Sequence, residues 1–420
     1  MRRIEIPLSD PDISPAELEA VSAVLKSPRL SQGPVVEQFE QAFAAYLGRQ
    51  HAVAVASGTL GLLLTLRAHG IGAGHESATA TDLMIGRTSE ASRASISSRG
   101  PRTRVPGVPP KTSPIGEVVT SAYSWHQIGH AIALAGAKPV FADIDYWSGT
   151  LAPDKAAARI GANTRALVVA NVNGHPAAWA PFRELATKHG LLLIEDSTEA
   201  IGSRYQDKPV GSFGDCAIFD FSQPGAITCG EGGMVVTDDA GIAAKLRNLR
   251  NRRIDERFSV VAGATPPCQA SMSELVAALG LAQLARLDAI LARRQQVEQY
   301  YYEHVKSFEG IKDPYVAPEV SEIHWFLYQV HLGTRFTRSS RDAIVDDLLT
   351  GGVEAAAYCQ PLHRQPLYSG RGALLVTEKV ADRVLVLPFH AHLTEDQVAF
   401  IVQAMKDASI SIGAGVAIYL

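Results

Sequence analysis

The sequence predicts an α/β protein: a large domain with a mainly parallel, doubly wound sheet, followed by a smaller C-terminal α+β domain. Three observations carry this. Short β-rich runs alternate with stretches of helical period through the first part of the chain. The run HAVAVAS passes through SGT directly into the apolar stretch GLLLTLRAHGI, which reads as strand, tight turn and helix. After Asp239 long charged helical segments take over, and beyond Lys312 strands and helices mix over a shorter length.

In chain order, apolar residues recur at helical spacing in SPAELEAVSAVLKS and in VVEQFEQAFAAYL, two amphipathic helices separated by the breaker RLSQGP. The turn after HAVAVAS opens a helix, so its backbone N–H groups point at whatever anion lies in front of them. KPVFADID, RALVVANV, LLLIEDS and DCAIFDF read as further strands, with helical stretches such as PFRELATKHG between them. IAAKLRNLRNRR and the run SELVAALGLAQLARLDAILARRQQVEQYYYEHV read as helices, the second long enough to bridge two domains. HWFLYQVHL and RVLVLPF supply strands of the last part, and SRDAIVDDLLTGG and TEDQVAFIVQAMKDA its helices. The expected division is an N-terminal arm over 1–35, a large domain over 36–248, and an interdomain helix with the small domain over 249–420. Residues 77–115 interrupt the rhythm: Ser, Thr, Arg and Pro dominate, with six Lys or Arg against two Asp or Glu. A disordered insertion is expected there.

The 420 residues allow two or three domains with a sizeable buried core. Apolar residues make up 46% and charged residues 20%, and the net charge is −4. That balance, without a basic stripe, argues against a nucleic-acid partner. The opening MRRIEIPLSDPDIS has no apolar run behind its arginines, and the apolar stretch from Ile410 to Leu420 is too short to span a bilayer, so a cytoplasmic protein without a membrane partner is expected. Cys216, Cys229, Cys268 and Cys359 show no paired spacing, which points to ordinary thiols rather than a disulfide framework or a metal site.

The segments IPLSDPDISPAELEAV, LSQGPVVEQFEQAFAAYLG, HAVAVASGT, AGAKPVFADID, LLLIEDSTEAIGS, GDCAIFDF, GEGGMVVTDD, SELVAALGLAQLARLD and QPLH, taken in order, resemble the DegT/StrS family of sugar aminotransferases. The resemblance covers nearly the whole chain outside 77–115. It implies the fold type I architecture of enzymes dependent on pyridoxal phosphate (PLP), work on nucleotide-linked keto-sugars, and a homodimer with active sites at the subunit interface. Gly58 and Thr59 then match the positions that hold the cofactor phosphate, Trp125 the aromatic that stacks on the pyridine ring, Asp196 the acid that pairs with the ring nitrogen, and Glu199 a position near the ring hydroxyl. Read without the resemblance, Gly58 and Thr59 make a tight turn, Trp125 is a core residue, and IED at the end of a strand is a common place for a ligand-facing acid.

The segment FDFSQPGAITCGEGG departs from the family's pattern of F-S-F-H, two variable residues, lysine, then G-E-G-G. Gly225 stands at the lysine's place, so no catalytic residue is assigned: transamination needs that amine to hold an aldehyde as an imine and to move a proton. Asp220 replaces a serine that binds the phosphate. A carboxylate about 5 Å from a phosphate charge costs roughly 3 kcal/mol at an effective dielectric of about 20, or about a hundredfold in affinity. Gln269 and Ser271 replace the asparagine and arginine of N-Y-R, and Asn171, Val172, Asn173 and Gly174 replace H-L-Y/F-G on the substrate side.

The expectation is a homologue unable to transaminate, binding PLP weakly or not at all and never covalently, with a nucleotide-sugar-like small molecule as its ligand. It would be a homodimer or pair with an active paralogue. The alternatives are a lysine-independent enzyme using PLP, its amine form or no cofactor, as in the family's dehydratase branch where histidine replaces lysine, and an ordinary aminotransferase whose amine comes from Lys208 or Lys245. Tyr358, His363 in QPLH and His390 in LPFH are the substrate-side candidates that the resemblance suggests. Arg250 and Arg253 read either as diphosphate ligands or as a solvated helix face.

Overall fold

The computed structural model describes residues 5–72, 116–126, 128–251, 267–306, 315–368 and 372–412. The expected insertion over 77–115 and Arg253 lie outside these residues.

The chain opens with α1 (Pro15–Leu25), α2 (Pro34–Leu47), β1 (His51–Val55) and α3 (Gly58–Ala68). In α1, Ser14 and Glu17 form a reciprocal capping box, as the S-x-x-E spacing directs. The strands then follow as β2 (Glu117–Ser121), β3 (Lys138–Ala142), β4 (Thr164–Ala170), β5 (Leu192–Asp196), the short β6 (Arg204–Tyr205) and β7 (Lys208–Pro209), β8 (Cys216–Asp220) and β9 (Gly233–Thr237). Seven of them form one sheet in the order β1-β9-β8-β5-β4-β2-β3. The run from β8 to β3 is parallel throughout, and β9 lies antiparallel between β1 and β8. The sequence alternation names no direction, and this inverted strand is the one element that makes the sheet mixed.

Period-two side-chain alternation distributes the sheet's residues to two cores. Val53, Val55, Ile218 and Val235 pack on Leu62, Leu64 and Leu246 on one face. Ala52, Ala54, Phe219 and Met234 meet Phe39 and Phe43 of α2 on the other, and Trp179 and Phe182 of the helix Trp179–His189 continue that face over Leu167 and Leu193. A sheet covered on both faces needs apolar residues at every position, which is why its strands read as continuous apolar runs.

The last part holds β10 (Val320–Glu322), which joins β6 and β7, and β11 (Tyr328–His331), β12 (Ala356–Ala357) and β13 (Val384–Leu387), ordered β11-β13-β12. The helices Leu287–Val305, Arg338–Thr350 and Glu395–Ser411 cover the latter sheet around Tyr301, Ile344 and Ile401. Two expectations need correction. The predicted long bridging helix is two, Glu274–Ala285 and Leu287–Val305, bent by 66° at Arg286. The strand expected over HWFLYQVHL is confined to Tyr328–His331, because the backbone at Trp325, Phe326 and Leu327 bonds to Arg294 and Asn173 instead of to a neighbouring strand. Among the described residues no single helix is long and apolar enough to cross a membrane.

Candidate functional site

The site lies at the C-terminal ends of the parallel strands, where open α/β sheets bind ligands. β5 ends at Asp196 and runs into the short turn Thr198–Ala200 that carries Glu199. β2 leads to Trp125 and His126, β8 ends at Asp220, and α3 begins beside it at Gly58.

Asp196 is 7% exposed and accepts the Thr198 N–H at 3.1 Å. Burial raises its carboxyl above the ordinary range, with the nearby Asp220 adding to the rise and His126 opposing it. Glu199 is equally buried and ties three segments together. One oxygen accepts the Trp125 N–H at 2.9 Å, and the other accepts the Asn173 N–H at 2.8 Å and the Tyr358 hydroxyl. Burial raises its carboxyl too, against the lowering effect of those hydrogen bonds. Tyr358 lies 5.1 Å from the Tyr123 ring and 6.2 Å from that of Trp125.

Asp220 takes a position the sequence does not disclose. Its Oδ2 accepts the Gly58 N–H at 2.6 Å, and its Oδ1 accepts the Ser222 N–H at 2.8 Å and the Ser222 hydroxyl at 2.6 Å. The backbone donor that the resemblance gives to a phosphate therefore carries a carboxylate of the chain itself. Thr59, one residue on, is exposed. Gly58, Thr59, Leu62, His126, Asp196 and Thr198 line one small cleft there.

Gly225 lies in the loop between β8 and β9, flanked by the bridge that Ser222 makes with Gly230. A Cβ there would lie 3.0 Å from the Ile227 carbonyl oxygen, so a side chain needs a shift of a few tenths of an ångström in the loop. The two lysines that the sequence offers as substitutes are held elsewhere. Lys245 donates to the Ala68 carbonyl at 3.5 Å, at the far end of α3 from Gly58, which is about 15 Å along the helix axis. Lys208 sits exposed in β7.

Of the substrate-side candidates, the structure brings only Tyr358 to this group. His363 is next to it in the chain path, since Leu362 N–H bonds the Ala122 carbonyl, but its imidazole turns to Glu378 at 2.9 Å. His390 lies among Asp10, His392 and Arg294, and burial brings its pKa down to about 4. Gln269 is exposed, while its neighbour Ala270 accepts the Ala56 N–H just ahead of α3. Arg250 is neither a solvated face nor a free diphosphate ligand: it is 4% exposed and pairs with the buried Glu40 at 2.5 Å, because the helix Ala240–Arg250 packs onto β1 there.

Asn171 also departs from its expected place on the pocket wall. Its amide nitrogen donates to Glu195 and Ser197, and its oxygen accepts from Ala177 N–H and the Trp179 indole, so all its hydrogen-bonding capacity is used inside the fold. Sequence reading missed His126. Its one legible signal was its place directly after Trp125 on a loop leaving a parallel strand. Among the described residues no group of three or more His, Cys, Asp or Glu is placed to hold a metal ion.

The model of the DegT/DnrJ/EryC1/StrS aminotransferase family matches residues 11–86 and 108–406. GDP-perosamine synthase of Caulobacter vibrioides is 32% identical over 387 residues, covering 90% of this chain and 91% of the relative. The spore coat polysaccharide biosynthesis protein SpsC of Bacillus subtilis is 29% identical over 421 residues, covering 96% of each. Among solved structures, the aminotransferase TlmJ of Streptoalloteichus hindustanus superposes with a TM-score of 0.80 at 26% identity, over 97% of this chain and 99% of that one. The architecture is therefore that of the PLP-type sugar aminotransferases, and the chain belongs to the DegT/DnrJ/EryC1/StrS aminotransferase family.

Proposed function

We propose that this chain is a family member that no longer transaminates and that binds a nucleotide-sugar-like small molecule in a pocket which takes PLP weakly or not at all. One observation carries the reading: among the described residues no amine stands where an imine would form. Position 225 is glycine, Lys245 is tied to the opposite end of α3, and Lys208 belongs to another sheet. A general base acting through a lysine needs that amine within its reach of about 6 Å. The residues at Gly58 do not fit a phosphorylated cofactor either, since Asp220 occupies the helix N-terminus. A relative named for GDP-perosamine supports a nucleotide-linked sugar as the ligand class.

A second reading has one observation in its favour. His126 lines the same space as Asp196, and a histidine facing a buried carboxylate supplies the acid–base group that a lysine-independent enzyme on a keto-sugar needs. This would be a dehydratase-like or isomerase-like activity.

The wider proposal is a cytoplasmic protein with an arm over 1–35, a large domain to 248 and a small domain beyond. It acts as a homodimer or with an active paralogue. An apolar groove of ≈ 630 Å³ between α1, α2 and the helix Glu274–Ala285, lined by Ala20, Val24, Pro34 and Leu281, is the face that supports association.

The test is direct. Purified protein is incubated with PLP, treated with borohydride and analysed by intact mass, alongside Gly225→Lys and the Asp220→Ser, Gly225→Lys double variant. The expected result is no adduct on the parent chain, capture only in the double variant, and calorimetric binding of a nucleotide sugar by the parent. A fixed imine on the parent, or steady amino-group turnover by it alone, overturns the reading.

A further inference from the structure

We infer that Asp220 is a built-in replacement for a phosphate group at the N-terminus of α3, which completes the site without a cofactor and closes it to phosphate monoesters. This deepens the proposed function, and it rests on the geometry around one carboxylate.

Three donors converge on Asp220: the Gly58 N–H on one oxygen, and the Ser222 N–H and hydroxyl on the other. The residue is 6% exposed, and its own N–H is fixed by the Thr198 hydroxyl at 2.9 Å. Ser57 caps the helix separately, taking the Leu60 N–H. Together they provide what a bound phosphate provides, a negative charge at the positive end of a helix dipole and acceptors for its first free donor.

The glycines around it fit this contact. A Cβ on Gly58 would lie 2.8 Å from the Asp220 Cβ, and a Cβ on Gly233 would lie 2.6 Å from the Gly58 nitrogen. Only with both side chains absent do β8 and β9 bring the carboxylate to the helix. A serine at position 220 has no charge to offer and would leave the Gly58 N–H open to an external anion. With aspartate there, an arriving phosphate meets a like charge on its own donor.

The experiment follows thermal melting of the full-length parent, Asp220→Asn and Asp220→Ser across an inorganic phosphate titration, with chloride keeping ionic strength constant. The parent is expected to melt at a temperature that phosphate does not move. Both variants are expected to melt a few degrees lower. Asp220→Ser should recover part of that loss in phosphate, binding it at least tenfold more tightly than the parent. A parent whose melting rises with phosphate as much as that of Asp220→Ser overturns the inference, as does an Asp220→Ser chain as stable as the parent. If Asp220→Ser does not fold, Asp220→Asn decides: lowered melting supports the role of the charge, and unchanged melting refutes it. A borohydride-fixed imine on a parent that ignores phosphate would sink the proposed function and leave this assignment standing.

Discussion

Asp196 and Glu199 are carboxylates three residues apart in different company. Glu199 accepts from two backbone N–H groups and a tyrosine hydroxyl, whereas Asp196 accepts from Thr198 and has His126 and Asp220 nearby. Burial lifts both above their ordinary values of 3.8 and 4.5. A carboxyl with a raised pKa holds its proton more tightly in the folded chain. Its stabilising contribution is full below the unfolded value and is lost as pH rises through the folded one. Asp196→Asn removes one such group, so the variant is expected to lose less stability than the parent as pH rises above the ordinary value of 3.8. Denaturant midpoints measured across that rise check this, and parallel curves for the two chains would count against an uncompensated charge at Asp196. Asp196, Glu199, Asp220 and Gly225 were legible as candidates because each stands at a fixed place in an ordered motif. The bond between Gly58 and Asp220 was not, since it joins residues 162 positions apart, and no local period reports such a contact. His126 was overlooked for a related reason: nothing about a histidine after a tryptophan says which way its ring faces.

The helix pair at Arg286 illustrates the same limit one level up. Neither glycine nor proline marks the break in LAQLARLDAIL, and the apolar spacing continues through it. What bends the chain is tertiary. Arg286 closes the first helix with its N–H on the Gln283 carbonyl, while its guanidinium reaches Asp12 and Glu17 in the N-terminal arm. Gln283 adds bonds to the Asp12 carbonyl and to Glu17, and Arg293 takes the other Asp12 oxygen. Burial acts to raise Glu17, but hydrogen bonds from Ser14 and Arg286 bring its pKa down to about 2. A depressed carboxyl contributes stability above its unfolded value of 4.5, and that contribution is lost as pH falls towards about 2. The arm should therefore loosen in acid, opposite in sign to the effect at Asp196. Arg286→Ala is expected to cost about 1–3 kcal/mol and to lower the hydrogen-exchange protection of α1 at neutral pH as acid does in the parent. Unchanged protection in α1 would mean that apolar packing alone holds the arm. Five strands of the large sheet, β1, β3, β4, β5 and β8, were in contrast readable from their apolar runs, whereas β2, β9 and the reversed direction of β9 were not.

At the scale of the molecule, one face of the small β11-β13-β12 sheet has its own core around Tyr301, Ile344 and Ile401. Val384 and Val386 of β13, with Phe326, Leu327 and Tyr358, share an apolar cluster with Val53, Ile218 and Val235 of the large sheet, and polar links cross beside it. Asn173 uses its side chain on the Leu327 N–H while giving its own N–H to Glu199. Arg294 donates to the carbonyls of Trp325, Phe326 and Phe389 from a fully buried position with its guanidinium 4.6 Å from the Phe389 ring centroid, and burial brings its pKa down to about 10. Glu199 holds the loop after β2, the loop after β4 and Tyr358 at one point, so it couples the candidate site to the packing of one part against the other. Glu199→Ala leaves three donors, two of them buried, without their acceptor, at a cost of about 3–5 kcal/mol, whereas Tyr358→Phe removes one bond at about 1 kcal/mol. If the coupling argument is right, the loss in Glu199→Ala is uneven. Peptides spanning β11 and β12 should lose exchange protection first, while β4 and β5, each flanked by two strands of the large sheet, keep theirs. Calorimetry should then show unfolding that is broader or more divided in Glu199→Ala than in the parent and only shifted in Tyr358→Phe. An equal loss of protection through both sheets would assign Glu199 to the stability of the large sheet alone and remove it as the joint between the site and the small one.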